Sequence, residues 1–150
     1  MEKVYEFYIR TTPNRLWAAI TDPEQRSKYN FGASVLTDWK PGSRYEMTAR
    51  DGSFKLGEGE ILEVDPPRRL VQSMRALWSD EVKSEGTSRI TWEIDPIRDS
   101  CRLLVTHDQL REGANDQLYG GWPMILSGLK TWLETGGLLT TPGSLMYAED

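Results

Sequence analysis

Residues 3 to 10, Lys-Val-Tyr-Glu-Phe-Tyr-Ile-Arg, alternate strictly. Val4, Glu6, Tyr8 and Arg10 share one face and Tyr5, Phe7 and Ile9 the other, which is the period of a half-buried strand. Thr12-Pro13 then starts a helix, with the threonine as cap and the proline at a first-turn position where its missing N–H is no loss. Leu16, Trp17 and Ile20 give that helix its apolar stripe. Thr21-Asp22-Pro23 ends it and opens a second short helix through about Tyr29, because the residue before proline is pushed out of the helical region. From Ala33 to His107 the chain reads as strands cut by Gly, Pro and Asp: Ser34 to Trp39, Ser43 to Arg50, Lys55 to Val64, Arg69 to Trp78, Thr87 to Asp95 and Cys101 to Asp108. The turns are Lys40-Pro41-Gly42-Ser43, Arg50-Asp51-Gly52-Ser53, Asp65-Pro66-Pro67 and Asp95-Pro96. The charged stretch from about Ser79 to Gly86 reads as a mobile flap.

After Arg111-Glu112-Gly113 the period changes. Leu118, Trp122, Ile125, Leu126, Leu129, Trp132 and Leu133 fall on one broad face of a helix of about twenty residues, which Gly136-Gly137 stops. Short connections make the strands an antiparallel meander. The order β, α, α, six strands, long α predicts an α+β domain in which about seven strands cover their apolar face with the last helix. One domain over residues 1–150 is expected, with a tail from about residue 138 that has too few apolar positions to specify structure.

Strand alternation names the side chains that face that helix. They are Tyr45, Met47 and Ala49; Leu70, Gln72, Met74 and Ala76; Ile90, Trp92 and Ile94; and Cys101, Leu103, Val105 and His107. With Tyr119, Trp122 and Leu126 they outline an apolar and aromatic space in which Gln72, His107, Tyr45 and Tyr119 are able to orient a ligand. The candidate ligand-binding residues are therefore Tyr45, Met47, Gln72, Met74, Trp92, Leu103, Val105, His107, Tyr119, Trp122 and Leu126. The competing reading is a filled core. Trp17, Trp92 and Trp132 read as core, whereas Trp39, Trp78 and Trp122 lie near loops or the helix start and are placed to rim an opening.

Composition narrows the chemistry. One cysteine and one histidine supply neither an internal disulfide nor a tetrahedral zinc site, so no metal or other cofactor is expected and a reducing, cytoplasmic setting is the natural one. A net charge of −5 with its 18 basic residues scattered argues against nucleic acid. No stretch approaches the roughly 18 apolar residues of a membrane span. Cys101 and His107, six positions apart on one strand, stand about 20 Å apart and cannot form a nucleophilic dyad. His107 and Asp108, as neighbours, face opposite ways. Gly57-Glu58-Gly59 begins like a dinucleotide-binding turn, but Leu62 stands where a third glycine belongs and no helix follows, so it reads as a strand.

Several segments together resemble the SRPBCC superfamily, with its START or birch-pollen-allergen-like fold. They are Arg10-Thr11-Thr12-Pro13-Asn14-Arg15-Leu16-Trp17-Ala18-Ala19-Ile20-Thr21-Asp22-Pro23, Trp39-Lys40-Pro41-Gly42, Val64-Asp65-Pro66-Pro67-Arg68-Arg69-Leu70-Val71, Leu103-Leu104-Val105-Thr106-His107, and Gly120-Gly121-Trp122 followed by Leu126, Leu129 and Leu133. Within it the chain most resembles the branch of activator of heat-shock-protein ATPase homologue-like proteins. The resemblance implies a helix-grip fold, a curved antiparallel sheet around a long C-terminal helix. It specifies function weakly, because the superfamily includes lipid carriers, cyclases, receptors and co-chaperones. Gly42-Ser43 stands where the family has two glycines, and Pro123 falls in a normally uninterrupted helix, which it should kink or start afresh at Trp122. The leading expectation is a non-enzymatic binder of a small hydrophobic or aromatic molecule. A polyketide cyclase-like or hydrolase-like enzyme using the same cavity is second. A co-chaperone-like interaction module is third, since the second domain and charged linker of eukaryotic co-chaperones do not follow. A homodimer through an exposed edge strand is compatible with the sequence.

Overall fold

The computed structural model describes residues 1–144, so residues 145–150 of the expected tail lie outside the described residues. Seven strands form one antiparallel sheet in the order β1-β7-β6-β5-β4-β3-β2. They are β1 (Lys3–Ile9), β2 (Ser34–Leu36), β3 (Arg44–Thr48), β4 (Lys55–Asp65), β5 (Arg69–Ala76), β6 (Thr87–Ile97) and β7 (Ser100–Asp108). Helices α1 (Pro13–Thr21) and α2 (Pro23–Ser27) link β1 to β2, a short α3 (Asp80–Lys83) links β5 to β6, and α4 (Trp122–Thr135) closes the described chain. This is the α+β helix-grip arrangement that the order of elements predicts. The register shifts at Met47/Thr48 and at Ile61/Glu63 are bulges of the kind that bend a sheet.

The first two helices begin as their sequences dictate. Thr12 accepts from Arg15 N–H and Asp22 from Glu24 N–H, each followed by proline in the first turn. The alternation is also realised. Leu70, Gln72, Met74, Ala76, Ile90, Trp92, Ile94, Cys101, Leu103, Val105 and His107 are all buried, while Val4 and Tyr8 on the opposite face are exposed.

Elements α2, β3 and β5 end about two residues before the sequence expectations, at Ser27, Thr48 and Ala76, and four further departures have a specific physical reason. β2 stops at Leu36 rather than Trp39, whose positive φ of 54° is incompatible with a strand. β6 runs through Asp95-Pro96 to Ile97, so the turn falls at Arg98-Asp99. Ile94 N–H donates to Arg68 C=O, the last acceptor before β5 begins, so Pro96, two residues on and facing the same edge, lies past the end of β5 where no N–H is required. The segment expected to be a mobile flap contains α3, capped by Ser79 and holding Val82 fully buried. It is tied down by Arg111–Glu85 at 2.7 Å and by Trp78 Nε1–H donating to Gln117 Oε1. Finally, α4 has 14 residues instead of about twenty: Pro123 sits in its first turn, so the proline starts the helix afresh, and Leu118 belongs to a separate 3-10 turn, Asp116–Leu118. Gly136, at φ 75°, ends α4 in the left-handed conformation. No described helix is long and apolar enough to cross a membrane.

Candidate ligand-binding site

Beneath α4 the inward side chains of β3, β5, β6 and β7 bring six of the predicted residues into one connected group. Trp122, on the first turn of α4, is its hub. Its ring lies 5.4 Å from Trp92 edge to face, 6.1 Å from His107 and 6.4 Å from Tyr5. Its Nε1–H donates to His107 Nδ1 at 3.1 Å. An indole nitrogen is a donor only, so Nδ1 must be the acceptor and the imidazole proton resides on Nε2. That proton points to Ser88 Oγ at 2.7 Å, and the serine hydroxyl in turn donates to Met74 C=O at 3.4 Å. Burial drives the His107 pKa down to about 4, against the weaker opposite pull of Asp108. Asp108 itself faces away and pairs with Arg89 at 2.7 Å.

A second chain of polar contacts runs beside the first. Trp92 Nε1–H donates to Gln72 Oε1 at 3.1 Å, and the Gln72 amide lies against the Tyr45 phenol. Tyr45 crosses the face of Gly59, its register partner, and donates to Ser73 C=O at 2.6 Å. A β-carbon at Gly59 would stand 2.1 Å from Ser73 O and 2.7 Å from the Tyr45 ring. The β4–β5 ladder is open here, since no backbone pairing joins the strands between Glu58 and Ile61. Side chains close the gap: Tyr45 on Ser73 C=O, and Ser73 Oγ on Glu60 N–H.

Arg26 completes the group from α2. It is 5% exposed, donates Nη1–H to Ile20 C=O at 2.8 Å, and lays its guanidinium 5.0 Å from the centre of the Trp92 ring. Its Nε is buried without a hydrogen-bond partner. Desolvation raises the pKa values of Tyr45 and Tyr29 to about 12; the Gln72 side chain and then the Arg26 charge oppose the rise at Tyr45, and the Arg26 charge opposes it at Tyr29.

The other predicted residues divide. Leu103, Val105 and Leu126 are fully buried apolar walls. Trp122, expected to rim an opening, has its indole inside. Met47 is half-buried and packs both against the main core and against the small cluster of Ala33, Ala49 and Leu56, and Tyr119 lies at the β1 edge under the Lys3 ammonium, 4.6 Å away. Neither joins the polar group. Ser88 was legible, since it precedes Ile90 by two and shares its face. Arg26 carried no such signal. An open groove of about 280 Å³ on β2, β3 and β4, lined by Leu36, Arg44, Glu46, Thr48 and Glu58, meets the group only at Tyr45.

The Ser88–His107 contact has the length of a nucleophile–base pair, but its polarity is reversed. With Nδ1 accepting from Trp122, Nε2 is protonated and cannot take the serine proton. Among the described residues no three metal-ligating side chains cluster.

Comparison with known proteins places this geometry. The family model described as Activator of Hsp90 ATPase homolog 1-like protein matches residues 10–134. Among solved structures, CalU16 from Micromonospora echinospora is similar at 20% identity and TM-score 0.73, over 89% of this chain and 74% of that one. An Hsp90 activator from Plasmodium falciparum is similar at 20% identity and TM-score 0.71, over 89% and 96%. The Aha1 dimer from Colwellia psychrerythraea is similar at 14% identity and TM-score 0.71, over 91% and 98%. No curated protein sequence matches the chain.

Proposed function

The chain belongs to the family of Activator of Hsp90 ATPase homolog 1-like proteins, and we propose that it works there as a single cytoplasmic domain that binds a small apolar or aromatic molecule between the sheet and α4. The observation that carries this reading is the chemistry beneath α4. Two tryptophans and fully buried aliphatic walls surround a few convergent polar groups, Gln72, Tyr45 and His107, which is the composition of a small-molecule site rather than of a uniformly apolar core. Covalent catalysis fits less well, because the tautomer of His107 leaves Ser88 without a base. Binding needs no such group.

A second reading draws on the neighbours. One is described as an Hsp90 activator and another as a dimer, which favours a chaperone partner or a homodimer as the competing function for this chain. The two readings separate cleanly. Native mass spectrometry of freshly purified protein, followed by denaturing extraction, should reveal a co-purifying small molecule. Apolar and aromatic compounds, supplied at about 100 times their Kd, should stabilise the fold by about 2.7 kcal/mol. A clean mass for the protein alone, with no stabilisation by any member of such a panel, would overturn the ligand-binding reading and leave the interaction module.

A further inference from the structure

We propose that Arg26 is the anchor for the carboxylate of the bound molecule, so that the ligand is a small aromatic or aliphatic monocarboxylic acid. The inference rests on the interior binding proposed above and goes further by naming the chemical class.

An arginine at 5% exposure keeps its charge, because the guanidinium does not deprotonate in proteins. A buried cation without a counter-ion is costly. The protein's other arginine pairs follow the ordinary pattern, with Arg69, Arg89, Arg102 and Arg111 each meeting a carboxylate at or near the surface. Arg26 has no carboxylate within ion-pair distance among the described residues. What it has is one backbone acceptor, Ile20 C=O, and one aromatic face, Trp92. The contact to Ile20 caps the last turn of α1 and accounts for Nη1 alone. Nε–H remains buried and unpaired, and a charged donor left in that state is far more expensive than one that is bonded.

A carboxylate meets both deficits at once. It supplies the missing negative charge, and its oxygens match the planar edge of a guanidinium, where Nε–H is available. The surroundings fix the rest of the molecule. Trp92, against which Arg26 already lies, and Trp122 pack edge to face at 5.4 Å, so an apolar body takes up aromatic surface there by parting that pair. The Tyr45 and Tyr29 hydroxyls are committed to Ser73 and Ala19 carbonyls, so the anion is left to the arginine. A neutral ligand would leave the buried charge without a counter-ion even where its carbonyl accepts Nε–H, and a dianion would bring a second charge for which the interior shows no second cation among the described residues.

Matched acid and amide pairs test this by isothermal calorimetry: naphthoic acid against naphthamide, and decanoic acid against decanamide, each on the full chain at pH 7. Within at least one pair the wild-type protein should bind the acid more tightly than the amide, on the order of tenfold or more. In Arg26→Met that ratio should fall to about one, with a melting temperature at or above the wild type's, as expected when an unpaired buried charge is replaced by an apolar chain. Arg26→Gln, which keeps an amide donor toward Ile20, serves if the methionine variant does not fold. Equal affinity for acid and amide in the wild type would overturn the carboxylate anchor and leave interior binding intact. A preference for the acid that survives in the variants would also overturn it. Binding of neither member of either pair would overturn the carboxylate anchor, while interior binding falls only if the wider panel fails as well.

Discussion

Lowering the pH from 7 to 5 should weaken the folded protein through His107, the chain's only histidine. Its pKa is about 4 in the folded state against an ordinary value of 6.5. The folded value is the lower one, so as the pH falls the unfolded chain takes up the proton first, and stability declines from about pH 6.5 until the folded imidazole protonates near pH 4. Above that window the contribution is flat. At pH 5 the linkage amounts to about 2 kcal/mol, and below pH 4 it levels off at about 3 kcal/mol. Carboxylates with lowered pKa values, among them Asp108 and Glu134, also lose stability in acid, but their window opens below their ordinary values of 3.8 and 4.5. The interval from pH 5 to 7 therefore isolates the histidine. Urea unfolding at the two pH values, on the wild type and on His107→Gln, gives the double difference directly. The wild type should lose about 2 kcal/mol more than the variant. Equal losses in the two proteins would show that His107 titrates near its ordinary value and that the bond from Trp122 does not hold it neutral.

Four further substitutions probe the same framework. Gly59→Ala should destabilise by about 3 kcal/mol in urea unfolding, since the new methyl meets a backbone oxygen that cannot yield, whereas Tyr45→Phe, which strips the half-buried Ser73 carbonyl of its partner, should cost about 1 kcal/mol. Gln72→Met keeps the volume but leaves the Trp92 indole N–H without an acceptor, for a loss of about 2 kcal/mol; an unchanged midpoint would mean that the indole finds another partner. Pro123→Ala should change thermal stability by no more than about 0.5 kcal/mol, because proline in a first turn breaks nothing. A gain near 3 kcal/mol, the cost of an interior proline, would show that it kinks a longer helix.

The sheet and the inward faces of β5, β6 and β7 were legible because pleating enforces a period of two wherever one face is buried, and His107 and Gln72 fell on the inner face by that rule alone. The β6–β7 hairpin was misplaced because a proline reads as a stop until one knows that the neighbouring strand has already ended. The start of α4 was read four residues early because Leu118 continues the apolar stripe although a 3-10 turn intervenes. Cys101 was rightly dismissed as a partner for His107. The real partner, Ser88, sits diagonally across β6, where register decides proximity. Arg26 is the instructive omission. Nothing in Pro23-Glu24-Gln25-Arg26-Ser27 distinguishes a surface arginine from a buried one. Its burial follows from docking α2 against Trp92, a contact 66 positions away in sequence and invisible to local pattern.

The opening in the β4–β5 ladder bears on how a guest enters a closed interior. Where strands are joined by side chains instead of a continuous backbone ladder, the sheet has a natural hinge line, here passing beside Gly59. α4 is bonded to one side of that line, through Trp122 to His107, Lys130 to Tyr8 C=O and Glu134 to Arg10 N–H. α2, which carries Arg26, packs on β2, on the other side. Rotation about the hinge would part the two helices like the jaws of a clip, at the cost of the bond from Trp132 Nε1–H to Gln25 Oε1 and of the Arg26 contact with Trp92. Tyr45, spanning the line from β3 to β5, would be the catch.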